Sequence, residues 1–65
     1  MIKRIEIVLG NSISTFTVGN TIRFGNEATE IKTKKIEIKK GKIIITFSNK
    51  STAEYIGITQ YSILK

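Results

Sequence analysis

A dense group of lysines near the middle of the chain is the strongest chemical signal in the sequence. Six lysines fall within the eleven positions 32–42. Ammonium groups at this density attract anions such as nucleic-acid phosphates, and counterion release makes such binding strongly dependent on salt. With one arginine upstream, the residues predicted to contact an anion are Arg23, Lys32, Lys34, Lys35, Lys39, Lys40 and Lys42.

The same lysines have a second interpretation, in which they keep the protein soluble. Lysines on an exposed strand edge discourage edge-to-edge aggregation, and Glu30 and Glu37 interleave with them as on an ordinary solvated face. Nine lysines against two arginines, beside fourteen isoleucines, also suggest the codon usage of an AT-rich genome. Arginine, the residue best suited to bidentate phosphate contacts, is scarce. Anion binding and solubility therefore both remain open.

Two tyrosines and three phenylalanines divide into different predicted roles. Phe16, Phe24 and Phe47 each lie on an apolar alternating face, which predicts core packing. Tyr55 and Tyr61 have a polar tip and lie near the C-terminus. Their candidate roles are stacking on a base, contact at a subunit interface and a structural position at a barrel rim, of which the last is favoured.

The sequence lacks the residue types that most catalytic and metal-binding sites need. The chain has no histidine, cysteine or aspartate, which removes nucleophile–base triads, zinc sites and dense calcium loops. Glu27 and Glu30 are three residues apart, in and beside a predicted loop. Such a pair could act as acid and base, but two solvated carboxylates are far more common. Gly41-Lys42 lacks the upstream glycines of a phosphate-binding loop. No catalytic residue, metal site or cofactor is predicted.

Apolar and polar residues alternate along most of the chain. Ile, Val and Thr supply 24 of the 65 residues, and β-branched side chains favour strands over helices. Extended segments are predicted over residues 2–9, 12–18, 21–24, 30–39, 42–48, 52–58 and 62–64. Turns are predicted at Gly10-Asn11, Gly19-Asn20, Lys40-Gly41 and Asn49-Lys50-Ser51.

Three local features need separate treatment. Residues 25–29 are predicted to form a loop, and residues 59–61 a short turn. Apolar positions change from odd to even between Ile31 and Ile36, which predicts a β-bulge near Lys34-Lys35. Ser51 to Glu54 also fits a capping box for one helical turn, although the strand is favoured there.

These elements predict an all-β fold. The favoured architecture is a small SH3-like or open β-barrel of five to six short antiparallel strands, with an OB-like barrel or a flat meander sheet as alternatives. Sixty-five residues predict one domain, spanning 1–65. A chain this short has a thin margin of stability, so a homo-oligomer is a further expectation.

The function predicted from these features is a non-catalytic module that binds an anionic partner, either nucleic acid or a nucleotide, through a basic strand and hairpin. One alternative is a small inhibitor or sequestering protein of the phage or mobile-element type, directed at an acidic host protein or a cyclic nucleotide. Another is a self-assembling structural protein. The sequence has neither a signal-peptide pattern nor an apolar run of transmembrane length, so a cytoplasmic protein without membrane contact is predicted.

Overall fold

Seven antiparallel strands make up this computed structural model, which describes residues 1–24, except the side chain of Phe24, and residues 26–65. The strands are β1 (Arg4–Leu9), β2 (Ser12–Thr17), β3 (Thr21–Phe24), β4 (Glu27–Lys39), β5 (Lys42–Phe47), β6 (Thr52–Ile56) and β7 (Gln60–Leu64). The predicted all-β fold of antiparallel strands is confirmed, with seven strands in place of five or six.

The strands form two sheets that do not close into a complete barrel. The first sheet has the order β2-β1-β7, so the last strand pairs with the first, and the second has the order β3-β4-β5-β6. Ile5 and Ile7 of β1 pack in one core with Ile43, Ile45 and Phe47 of β5, and all five are at most 8% exposed. Alternation along β1 and β5 places these apolar side chains on one face, where burial stabilises both sheets.

A β-bulge in β4 reverses which side chains face the core. Thr33 and Lys35, two positions apart on β4, pair with adjacent residues of β5, so Lys34 is the extra residue. Before the bulge the odd position Thr33 is buried, and after it the even position Ile36 is buried. The bulge predicted near Lys34-Lys35 is confirmed.

Strand β4 begins earlier than the sequence predicts. The segment 25–29 is predicted as a loop; Gly25 lies outside the described residues, and Glu27 to Thr29 belong to β4. The reason is pairing with β3, in which Arg23 lies opposite Ala28. A neighbouring strand thus gives extended structure to residues whose own sequence indicates a loop.

The C-terminal boundaries also differ from the prediction. The predicted strand 52–58 ends at Ile56, because Gly57 turns the chain with φ 74°. The predicted turn 59–61 is wrong beyond Thr59, since Gln60 and Tyr61 already pair with β1. The strand favoured over a helical turn at residues 51–54 is confirmed from Thr52 onward.

Candidate anion-binding groove

A groove opens between the tip of the β4–β5 hairpin and the segment that leads into β7. Its volume is about 520 Å³, within the range of about 300–1,000 Å³ of small-molecule sites. The residues that line it are Ile38, Lys39, Gly41, Lys42, Ile43, Gly57, Ile58, Thr59, Gln60 and Tyr61. We name it the hairpin groove. Three residues predicted to contact an anionic partner meet there, namely Lys39, Lys42 and Tyr61.

Register across the hairpin concentrates positive charge at its tip. Lys39 and Lys42 lie directly opposite each other on β4 and β5, and like charges in this arrangement repel. Lys42 Nζ lies 3.0 Å from Glu54 Oε1, whereas Lys39 makes no ion pair with any described side chain. Lys40 occupies the turn between them and is exposed. The tip therefore has three ammonium groups and one neighbouring carboxylate.

Apolar side chains form the inner part of the same groove. Ile43 is only 1% exposed and belongs to the core, while Ile58 is half-buried against it. Ile38 keeps 38% of its surface exposed. An apolar floor with a few polar residues at its edge is a common pattern in small-molecule sites.

Tyr61 is held at the groove by strand pairing. It lies opposite buried Ile7 in the β1–β7 register, so both side chains point toward the same face, yet Tyr61 is 46% exposed because β7 is an edge strand. The preceding loop is anchored to β1: the Thr59 N–H donates to the Val8 carbonyl at 3.0 Å, and the Gly10 N–H donates to Thr59 Oγ1 at 3.4 Å. These bonds fix the loop wall of the groove.

Two glycines leave main-chain atoms accessible in the groove. Gly41 and Gly57 have φ values of 78° and 74°, a conformation that residues with a Cβ rarely adopt. An ideal Cβ at either position would have no heavy atom within 4 Å. A ligand can therefore approach the backbone at both turns.

The remaining predicted lysines lie elsewhere on β4. Lys32 is exposed, and Lys34 and Lys35 line a smaller depression beside Met1, at the bulge and away from the hairpin tip. Lys35 Nζ lies 3.8 Å from Glu37 Oε2. This part of β4 is a mixed-charge, solvated surface.

Arg23 and Tyr55 belong to a separate region. Both line a cleft at the far end of β5 from the hairpin tip. The Tyr55 ring is half-buried, with its centroid 5.8 Å from that of Phe16, and the Phe16 ring is 6.2 Å from Phe47. Tyr55 therefore packs in an aromatic cluster, and it shares no groove with Tyr61.

Sequence analysis missed the loop wall of the hairpin groove. Gly57, Ile58, Thr59 and Gln60 fell within a predicted strand and turn, and only the pairing of β7 with β1 brings them to the hairpin tip. Gly57 was the available signal, because glycine within a strand pattern often marks a bend. The described residues contain no cluster of three or more metal-ligating side chains and no helix suited to crossing a membrane.

Comparison with protein-family models, curated protein sequences and solved structures finds no match to this chain.

Proposed function

We propose that this protein is a non-catalytic module that binds single-stranded nucleic acid, with the hairpin groove as the contact site. The observation that carries the proposal is that Lys39, Lys42 and Tyr61 line one groove that has an apolar floor. A nucleotide unit combines a flat, weakly polar base with an anionic phosphate. Tyr61 and the isoleucine floor suit the base, while the lysines suit the phosphate.

Electrostatics favour the same partner. The chain carries a net charge of +6, and among the described carboxylates Glu54 alone forms an ion pair with a lysine of the tip. An exposed ion pair contributes only about 0–1 kcal/mol, so a phosphate can replace Glu54 as the partner of Lys42 at small cost. Lys39 and Lys40 are available without breaking any ion pair among the described side chains.

Single strands fit the groove better than a duplex does. In a duplex the bases are stacked on one another, so a tyrosine at the protein surface cannot stack on them. Binding is therefore expected to show little sequence preference, because every base has a face that can stack.

The test is a titration of fluorescein-labelled oligothymidylate, as single strand and as duplex with oligoadenylate, followed by anisotropy at 50 and 200 mM NaCl. We expect tighter binding of the single strand and a strong loss of affinity at the higher salt. Competition with thymidine monophosphate distinguishes a nucleic-acid strand from a free nucleotide as the ligand. If the free nucleotide occupies the groove as well as the oligonucleotide does, the groove binds nucleotides and the nucleic-acid proposal is overturned.

A pair of matched double variants localises the contact. Lys39→Ala with Lys40→Ala removes two charges at the tip, and we expect the slope of log affinity against log salt to fall by about 1.4. Lys3→Ala with Lys65→Ala removes two charges at the opposite end of the first sheet, beside the Arg4–Leu64 pair. Equal losses from both variants, or affinity indifferent to salt, would contradict the proposal.

A further inference from the structure

A second concavity, larger than the hairpin groove, lies at the other end of β5, and the two share no lining residue. Its volume is about 720 Å³. The residues that line it are Ser14, Thr15, Phe16, Thr21, Ile22, Arg23, Phe47, Ser51, Thr52, Ala53 and Tyr55. We name it the strand-edge cleft.

Free strand edges form its walls. Successive side chains of a strand point to opposite faces, so consecutive residues line one cleft only where the backbone edge itself runs along it. Three such runs are present, at residues 14–16, 21–23 and 51–53. The first two runs belong to β2 and β3, and the third includes the start of β6; each of these strands has a single sheet neighbour in the described structure. An edge strand leaves main-chain donors and acceptors without a strand partner, so those of β2, β3 and β6 are available to the cleft. Ser51 is the exception, because its N–H donates to Asn49 Oδ1 and its carbonyl accepts from the Phe47 N–H.

The floor and rim of the cleft add side-chain chemistry. Phe16 lies between Phe47 and Tyr55, with ring centroids 6.2 and 5.8 Å away, and these rings form an apolar floor. Serine and threonine hydroxyls surround it. Arg23 is exposed at the rim, and its only described bond is a long one of 3.5 Å from its guanidinium to the Asn26 carbonyl.

We propose that the strand-edge cleft binds an extended segment of an acidic partner protein, which adds a strand beside the free edges. An extended peptide supplies main-chain donors and acceptors along both of its sides, as the facing edges require, whereas a nucleic acid strand has no such repeat. Alternate side chains then point in opposite directions. Apolar ones meet the Phe16 cluster, and acidic ones meet Arg23 and the field of a chain with net charge +6.

The experiment selects peptides and then maps where they bind. A displayed library of random dodecapeptides is selected on the full-length protein, and the best binder is synthesised. Backbone amide exchange and chemical shifts are then recorded by NMR with and without this peptide. We expect alternating apolar and acidic residues in the binder, and slower exchange of amides in residues 14–16 and 52–53.

Two changes test the proposed contacts separately. N-methylation of alternate peptide amides removes edge hydrogen bonds and is expected to abolish binding. Arg23→Glu is expected to weaken binding about tenfold, while Arg4→Glu, an equal charge reversal on β1, is expected to leave most of the affinity intact.

The proposal is overturned if no peptide is enriched, if the enriched peptide protects β7 or the hairpin groove instead, or if Arg4→Glu matches Arg23→Glu. It is also overturned if the free protein protects the same amides increasingly with its own concentration, because a second copy would then occupy the cleft. Each of these outcomes can be observed whether or not the hairpin groove binds nucleic acid.

Discussion

Glu54 on β6 reaches diagonally across the sheet to Lys42 on β5, with 3.0 Å between Oε1 of the carboxylate and Nζ of the ammonium group. Lys42 also faces Lys39 on its other side. One carboxylate thus relieves the repulsion between two opposed lysines while competing with any anion for one of them.

Removal of that carboxylate should strengthen anion binding. We expect Glu54→Gln to raise affinity for single-stranded oligonucleotide about two- to fivefold, since an exposed ion pair contributes about 0–1 kcal/mol. Anisotropy titration at 50 mM NaCl measures the change. Glu37→Gln, which releases Lys35 outside the groove, is the control with the same charge change. An equal gain from both variants would indicate a general charge effect and contradict a local site.

Loss of the aromatic ring in the groove should weaken the same binding. Tyr61→Leu keeps an apolar side chain on β7 but removes the face on which a base can stack, so we expect about a 5- to 100-fold loss of affinity. Tyr61→Phe should retain most of the binding. Oligonucleotide titrations of the two variants, checked by thermal unfolding, separate stacking from folding. Indifference to the leucine would exclude Tyr61 as a stacking group.

A buried hydroxyl at the bulge should lower stability. Thr33 is 2% exposed, and its Oγ1 has no hydrogen-bond partner among the protein atoms described. Such a group costs about 1–3 kcal/mol of desolvation. Thr33→Val keeps the branched shape, so we expect it to raise the free energy of unfolding by about 1 kcal/mol in urea titrations. Thr52→Val, on the exposed face of β6, should change it little; a destabilised Thr33→Val would show that the hydroxyl is satisfied.

The turn between β5 and β6 holds a strained residue. Lys50 has φ 73°, in the left-handed region that costs a residue with a Cβ about 1–2 kcal/mol. Glycine adopts this conformation without that penalty but loses more chain entropy on folding. We expect Lys50→Gly to stabilise the protein by about 0.5–1 kcal/mol, measured by thermal or urea unfolding. Lys50→Ala retains the strain and removes the charge, so it should not reproduce the gain.

Local pattern predicted the strands well because apolar and polar residues alternate along most of them, as the alternately buried positions of β1 and β5 show. The change of phase between Ile31 and Ile36 even revealed the bulge at Lys34. Pattern did not predict the early start of β4, which depends on a partner strand, as the Arg23–Ala28 pair shows. The local sequence pattern does not determine which segments become neighbours in the folded protein.

The candidate site was predictable only in part for the same reason. Lysine density identified the hairpin, and Lys39 and Lys42 line the groove. The wall that meets them comes from a segment about twenty residues later in the chain, placed there by the pairing of Tyr61 with Ile7. The predicted set also included Arg23, which topology places in the other cleft.

The pairing of the last strand with the first sets a constraint on biosynthesis. Ile5 and Ile7 are synthesised well before the β7 neighbour of β1, which lies at residues 60–64. Until those residues emerge, β1 has one neighbour and an open edge. Contacts of such long sequence separation form slowly, because the loop between them must close first. The nascent chain therefore exposes one edge of this apolar strand until β7 has been synthesised, and Arg4 and Glu6 are the only charges within β1 to oppose early aggregation.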